Sequence, residues 1–257
     1  TWTHAKLMKH VQETAECAGY TRLSTISKAS IQRILEEADI KPFKIRYYCE
    51  KRDPDFERKM HNVLVVSKQV ELQFDEDGNL LPFSGQPLHT ISYDEKPGIQ
   101  VLSTTSDDRR PVKGNGVVQR DYEYVRKGTF SLLAGIDLLT GEAIPYISDT
   151  HKSSDFIGFL KKLDEKYPKG DKIRLILDNH SAHTSKETRE YLTTMAGRFE
   201  FVFTPKHGSW LNLVEGFFSK LTRQMLREIR VAHKEELIER LYKYFEEIND
   251  SPIVYHW

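Results

Sequence analysis

Three acidic residues stand where this chain could carry out phosphate chemistry. Asp94 closes the short run TISYD, Asp178 closes the most apolar run, IRLILD, and Glu215 falls just after the loop TPKHGSW. In open α/β sheets ligands collect at the carboxyl ends of strands, so Asp94 and Asp178, each read as ending a strand, can meet there. A helix laid across the sheet would bring Glu215 to the same point. Three carboxylates with no fixed cation among them repel. Magnesium relieves that cost, because it takes hard oxygen ligands and keeps waters for chemistry. Two such ions roughly 3.5–4 Å apart can activate an attacking oxygen and stabilise a leaving one in phosphoryl transfer. Each residue alone has a plainer reading. A strand-terminal Asp often serves a turn, and an acidic residue in a first helical turn is favoured by the helix dipole. The set in this order is what points to metal-dependent phosphoryl transfer.

The elements that must position these residues can be read from periodicity. Residues 3–17 place Leu7, Val11 and Ala15 four apart, with Gly19 where a helix would stop. Ser27 can cap a second helix with an apolar stripe of Ile31, Ile34, Leu35 and Ala38, ended by Pro42. Its early turns carry Lys28, Ser30, Gln32 and Arg33, a pattern that suits a helix-turn-helix entering a major groove, or equally a small helical domain packed on a neighbour. The stretch KPFKIRYYCEKR, with Lys44 and Arg46, is a basic linker that can track a phosphate backbone or stay solvated. Asp53 and Pro54 fit a cap and first-turn proline of a third helix, continued by Phe56, Met60, Val63 and Leu64. Residues 74–87 are turn-rich and predict a surface loop.

From His89 the period changes to that of strands. Runs at 91–94, 122–126, 129–137 and 143–147 are followed by a helix at 154–167 and the apolar strand 173–177. A helix at 185–195, a strand at 199–203 and helices at about 211–230 and 234–248 complete the chain. Three strands, helix, strand, helix, strand, helices is the layout of an RNase H-like mixed sheet flanked by helices, an α/β fold. The domain reading is a helix-turn-helix domain and basic linker over 1–52, then a catalytic domain over 53–257.

Bulk properties set limits without choosing a partner. The chain has 257 residues, 39% hydrophobic and 30% charged, and a formal net charge of +0. Residues 1–68 hold 13 Lys/Arg against 9 Asp/Glu, a net of +4, and the rest a net of −4. Local excess makes an electrostatic footprint on DNA, but this one is modest. Cys17 and Cys49 are too few for a disulfide framework or a Cys-based zinc site, and no run is apolar enough to span a bilayer. With no secretion signal, a reducing cytoplasm is expected. Beginning at Thr1 rather than Met, the chain reads as a fragment or processed product. Gly114 and Gly116 lack the phosphate-loop pattern, which argues against a nucleotide-triphosphate enzyme.

The segments YDEKP, DYEYVRKGT, LILDNHSAHTS and FTPKHGSWLNLVEGFFSKL resemble the DDE transposases of the mariner-type superfamily, bacterial insertion-sequence branch. Asp94 matches the first triad residue in its D-E-K context, Asp178 the second in L-D-N, and Glu215 the third in T-P-x-x-S-W-L-N-x-x-E. The 36 residues between Asp178 and Glu215 fit the family's spacing. The resemblance covers about residues 89–230 closely and the upstream helices more loosely. It implies that a magnesium-activated water cleaves transposon ends to free a 3′-hydroxyl, which then attacks target DNA, typically at TA. It further implies two Mg2+ ions, for which Mn2+ can substitute. The partners implied are the terminal inverted repeats and a second copy of the chain on paired ends, in the bacterial nucleoid. Relatives usually carry a second helix-turn-helix upstream and run on further at the end, and the segment 69–88 looks longer than the family core requires.

Weaker readings attach to other positions. Asn179 and His183 match family positions, and His183 is placed either at the scissile phosphate, orienting a metal ligand, or in packing. A zinc site from His180 and His183 finds no third ligand by spacing. Lys206, His207 and Ser209 can meet DNA backbone, with Gly208 and Trp210 shaping the loop. Tyr122, Tyr124 and Arg126 can contact DNA, with at least one tyrosine expected in packing. Two other classes stay open: another RNase H-like nuclease, and a transposase-derived DNA-binding protein without catalysis. The motif contexts argue against the first and the intact triad against the second.

Overall fold

The computed structural model describes residues 2–45, 53–82 and 85–255, so Arg46 of the basic linker lies outside the described residues. The chain divides into two compact units, Thr1–Lys51 and Arg52–Trp257. In the first, Thr3 caps α1 (His4–Thr14) and Ser27 caps α2 (Lys28–Glu37), its Oγ accepting from the Ser30 amide at 3.1 Å. Gly19 takes the left-handed conformation that ends the first helix, at φ +82°. The expected stripe on α2 is narrower than its spacing predicts. Ile31 is buried, whereas Ile34 is 52% exposed and Ala38 is exposed, because a unit this small has little interior to offer.

The second unit is a five-stranded mixed sheet between two layers of helices. Its strands are β1 (Leu88–Thr104), β2 (Tyr124–Asp137), β3 (Ala143–Ser148), β4 (Lys172–Leu177) and β5 (Phe199–Phe203). Their spatial order is β3-β2-β1-β4-β5. The pairs β1–β2 and β2–β3 are antiparallel, β1–β4 and β4–β5 parallel. This is the RNase H-like arrangement expected from the element order. Both faces are covered, so the strands are apolar on both sides. Ile91, Tyr93 and Leu133 pack with Phe156, Phe159 and Leu163 of α4 (Ser153–Lys166). On the opposite face Leu132, Ala134 and Ile136 pack with residues of three helices. These are α3 (Phe56–Glu71), α6 (Val214–Leu221) and α7 (Lys234–Asn249). The alternation of Leu132 and Leu133 between the two clusters is the period-two rule of a strand.

Several boundaries differ from those the sequence suggests. Asp94 does not end a strand. It lies inside β1, two residues past Ser92, where pairing with β4 stops while pairing with β2 continues to Thr104. Pro97 and Gly98 fall in a register shift between Lys96 and Ile99, where a proline is tolerated. The runs 122–126 and 129–137 are one strand passing through Gly128. α3 begins at Phe56 after Asp55, and Asp53 is not its cap. The helix expected over 211–230 is α6 followed by a π-helical turn, Thr222–Leu226. The segment after α3 closes a small bridge, Phe74 to Leu80. α5 (Lys186–Thr194) follows β4, capped by Ser185.

Candidate active site

Asp94 is carried to the middle of the sheet by its neighbours. Ile91 and Tyr93 are fully buried on one face, so the intervening Ser92 and the following Asp94 point the other way. Ser92 Oγ donates to Asn212 Oδ1 and accepts from the Val214 amide at 3.0 Å. Asn212 Nδ2 donates to the Tyr93 carbonyl at 2.8 Å. These bonds, buried at both ends, fasten the start of α6 to β1 beside Asp94, and Glu215 sits one residue further along that helix. Asp94, Lys96, Glu215, Thr222 and Arg223 line one cleft of about 610 Å³.

Asp178 follows the last residue of β4. Its Oδ1 accepts from the His180 amide at 2.8 Å and lies 3.2 Å from His183 Nδ1. His183 is buried, with Nδ1 also 3.0 Å from the Asp178 carbonyl and Nε2 2.7 Å from Glu95 Oε1. From that buried position its Nδ1 meets Asp178 at both the carboxylate and the carbonyl. Asn179 Nδ2 donates to the Thr204 carbonyl at 2.6 Å, and Lys59 reaches its Oδ1 at 3.3 Å.

The electrostatics of the three carboxylates are lopsided. Burial, then repulsion from Glu95, Asp178 and Glu215, pushes Asp94 up to about 7 against the one backbone bond that lowers it. The His183 hydrogen bond holds Asp178 below its ordinary value. Burial alone would lower His183, yet its bonds to Asp178 and Glu95 carry it up to about 9. Among the described residues no lysine or arginine pairs with Asp94, Asp178 or Glu215; the ion pairs lie elsewhere except for His183. Among the described residues, Asp94 accepts from the Glu95 amide alone, at 2.7 Å. An all-oxygen set with uncompensated negative charge fits a hard divalent cation.

A family profile described as DDE superfamily endonuclease matches residues 95–238, more than half of the chain. The chain belongs to that family. The matched span contains Asp178 and Glu215 and begins one residue after Asp94. A 39 kDa insertion element IS630 protein of Shigella sonnei, uncharacterised, is 26% identical over 113 residues. That stretch is 44% of this chain, and the chain spans about 33% of the length of that curated relative. In fold, the chain is similar to the Mos1 mariner paired end complex with Mn, at a TM-score of 0.54 and 15% identity over 95% of this chain and 70% of that one. It is likewise similar to the catalytic domain of Mos1 mariner transposase, at 0.51 and 13% over 79% and 85%. The resemblance to mariner-type DDE transposases read from the sequence is borne out, and so is the RNase H-like sheet.

The remaining expected residues of the chain are scattered. Lys206 and His207 are exposed on the loop before Glu215, His207 with φ +61°. Gly208 is buried there, where a Cβ would meet Pro205 Cγ at 2.6 Å. Trp210 is 62% exposed, in the 3-10 turn Ser209–Leu211. Tyr122 and Tyr124 are both exposed, contrary to the packing expected of one, and Arg126 stands 5.9 Å from the Tyr124 ring. In the first unit Lys28, Arg33 and Lys44 are exposed, whereas Gln32 is tied to Glu36 and Ser30 to Ser27. Ser92, Asn212 and Glu95 carry no role in the sequence reading, and Asp53 appears there only as a helix cap. Asn212 was visible in the motif before Glu215, but nothing in its type names its partners. No helix among the described residues is long and apolar enough to cross a membrane.

Proposed function

We propose that this chain is the catalytic part of a cut-and-paste DNA transposase, with Asp94, Asp178 and Glu215 as its acidic triad. What supports this reading is that Asp94 and Glu215 line one cleft, that Asp178 and Glu215 both act electrostatically on Asp94, and that no lysine or arginine among the described residues pairs with any of the three, inside a chain of the DDE superfamily. The triad would hold two divalent ions. Magnesium, with manganese able to substitute, supplies when bound the activation of the attacking oxygen and the stabilisation of the leaving one. The protein's own part is positional. His183 and the His180 amide fix the Asp178 carboxylate, while the Ser92–Asn212 pair fixes α6, and with it Glu215, against Asp94.

Exposed Lys206 and His207 flank the triad and meet the DNA backbone, and Arg126 of β2 contributes from the neighbouring strand. Residues 1–52 act as a helix-turn-helix domain with a basic linker, in which Lys28 and Arg33 of α2, with Ser30 and Gln32 beside them, and Lys44 and Arg46 contact the transposon end. The substrates are the terminal inverted repeats and a target, typically TA, held by two copies of the chain on paired ends, in the bacterial nucleoid. The test is cleavage of a labelled duplex carrying the element's terminal repeat, with Mg2+ or Mn2+, by this chain and by its Asp178→Ala variant. Cleavage at the end, lost in the variant, is the expected result. Specific binding without cleavage by either protein would instead identify a DNA-binding descendant.

A further inference from the structure

Beside the triad lies a second group of ligand atoms with a different chemistry. Glu95, His180 and His183 each offer one ligand atom, and these atoms all lie within 4.8 Å of one another. His183 has the outer contacts of a ligating histidine. Its Nδ1 is held by the Asp178 carbonyl at 3.0 Å, which leaves Nε2 facing Glu95. Histidines that bind metals characteristically donate their other ring N–H to a backbone carbonyl or carboxylate in this way. Glu95 is oriented too: Tyr93 donates to its Oε1 at 2.9 Å, and Tyr93 is wholly buried. The third member shows an unmet need. His180 Nδ1 is buried and has no hydrogen-bond partner. A buried ring nitrogen without a partner carries a desolvation cost that a ligated ion would remove.

We propose that Glu95, His180 and His183 form a second metal site, separate from the acidic triad, that takes a borderline transition ion such as Zn2+. Two imidazoles and one carboxylate, with a fourth position left to water, is a known zinc set. Imidazole nitrogens favour zinc, nickel or copper over magnesium, whereas the oxygen-only triad favours magnesium or manganese. The two sites therefore sort cations by donor type although Glu95 adjoins Asp94 in sequence. On binding, the ion replaces the proton that His183 Nε2 and Glu95 share, and that proton leaves to solvent. The sequence hid this site because its third ligand lies far from the His180–His183 pair along the chain, on β1.

The experiment is a titration of the metal-free chain with Co2+ alone, read by the visible absorption of tetrahedrally bound cobalt, with Zn2+ as competitor. One equivalent should bind with that absorption in the unmodified chain and in Glu215→Gln, which disables the triad but not this site. His180→Phe keeps a ring in place and removes both nitrogens, so the absorption should disappear. Glu95→Gln, which retains an acceptor for Tyr93, should weaken it, and circular dichroism establishes that both variants fold. No tetrahedral absorption in the unmodified chain, or one unchanged in His180→Phe, would overturn the proposal. Because the readout is binding without DNA, failure of the transposase reading leaves this result intact.

Discussion

Asp94 and Asp53 are two shielded carboxylates of the same unit with opposite surroundings. Asp53 is 8% exposed and accepts from Lys59 Nζ at 2.9 Å, the Lys206 amide at 3.1 Å and the Asp55 amide at 3.0 Å. The Lys59 hydrogen bond, with those two backbone bonds behind it, holds its carboxyl well below the usual carboxylate range. Asp94 has one backbone donor and three acidic neighbours, and is pushed up to about 7, first of all by burial. The first is a structural fastener, joining the start of α3 to the loop before Glu215 and, through Lys59, to Asn179. The second is left short of partners. A fold that can satisfy one carboxylate so completely leaves another bare only where something else is to bind, and that contrast separates the two roles better than burial does.

The comparison can be broken in four ways, from the largest effect down. Asp94→Asn should reduce metal-dependent end cleavage on the order of a thousandfold, since metal stabilisation of the transition state amounts to several kcal/mol. The same variant should melt no lower than the parent without metal, because a repelled charge has gone. A clear drop in Tm would mean that Asp94 is a structural residue like Asp53. Asn212→Ala leaves Ser92 Oγ and the Tyr93 carbonyl short of a partner and should cost about 1–3 kcal/mol in urea unfolding. Cleavage should fall further than that loss explains, as Glu215 loses its register; cleavage at the parental rate would separate Asn212 from the site. Asp53→Asn should reverse the pattern of Asp94→Asn, lowering Tm while leaving cleavage measurable at low temperature.

The smallest effect is a pH dependence of opposite sign at the two residues. Asp94 keeps its proton in the folded chain up to about 7, against 3.8 unfolded. Between those values the folded state binds more protons, so stability falls as pH rises through that window. Magnesium should therefore raise Tm more at pH 8 than at pH 6, and differential scanning fluorimetry would show it. Asp53, depressed, contributes stability present above the unfolded value and lost as pH falls toward its folded one. Asp53→Asn should flatten the acid limb alone.

The order of elements and the RNase H-like layout were legible because apolar runs and their periods are local features. The true length of β1 was not. Lys96-Pro97-Gly98 reads as punctuation, and only the bulge that absorbs it against β2 shows the strand continuing. Gly128 misled in the same way within β2. Asp53 before Pro54 reads as a cap because local sequence offers no sight of Lys59 or the Lys206 amide closing on it. Spacing cannot separate phosphate contact, orientation of a metal ligand, a helix start and packing as roles for His183, because its partner Glu95 is 88 residues away along the chain. The π-helical turn after α6 inserts its extra residue without any residue type announcing it.

The sheet topology also bears on the order in which the molecule assembles. β1, β2 and β3 are joined by successive antiparallel pairings, whereas β4 returns from Lys172 to pair with Leu88, and α6 docks later still along the chain. Local hairpins close sooner than such long-range pairings. If Asp94 is laid down on its strand before Asp178 and Glu215 arrive, the crowding of the three falls on the native side of the folding barrier. Changes that relieve the crowding should slow unfolding and leave the folding rate nearly untouched.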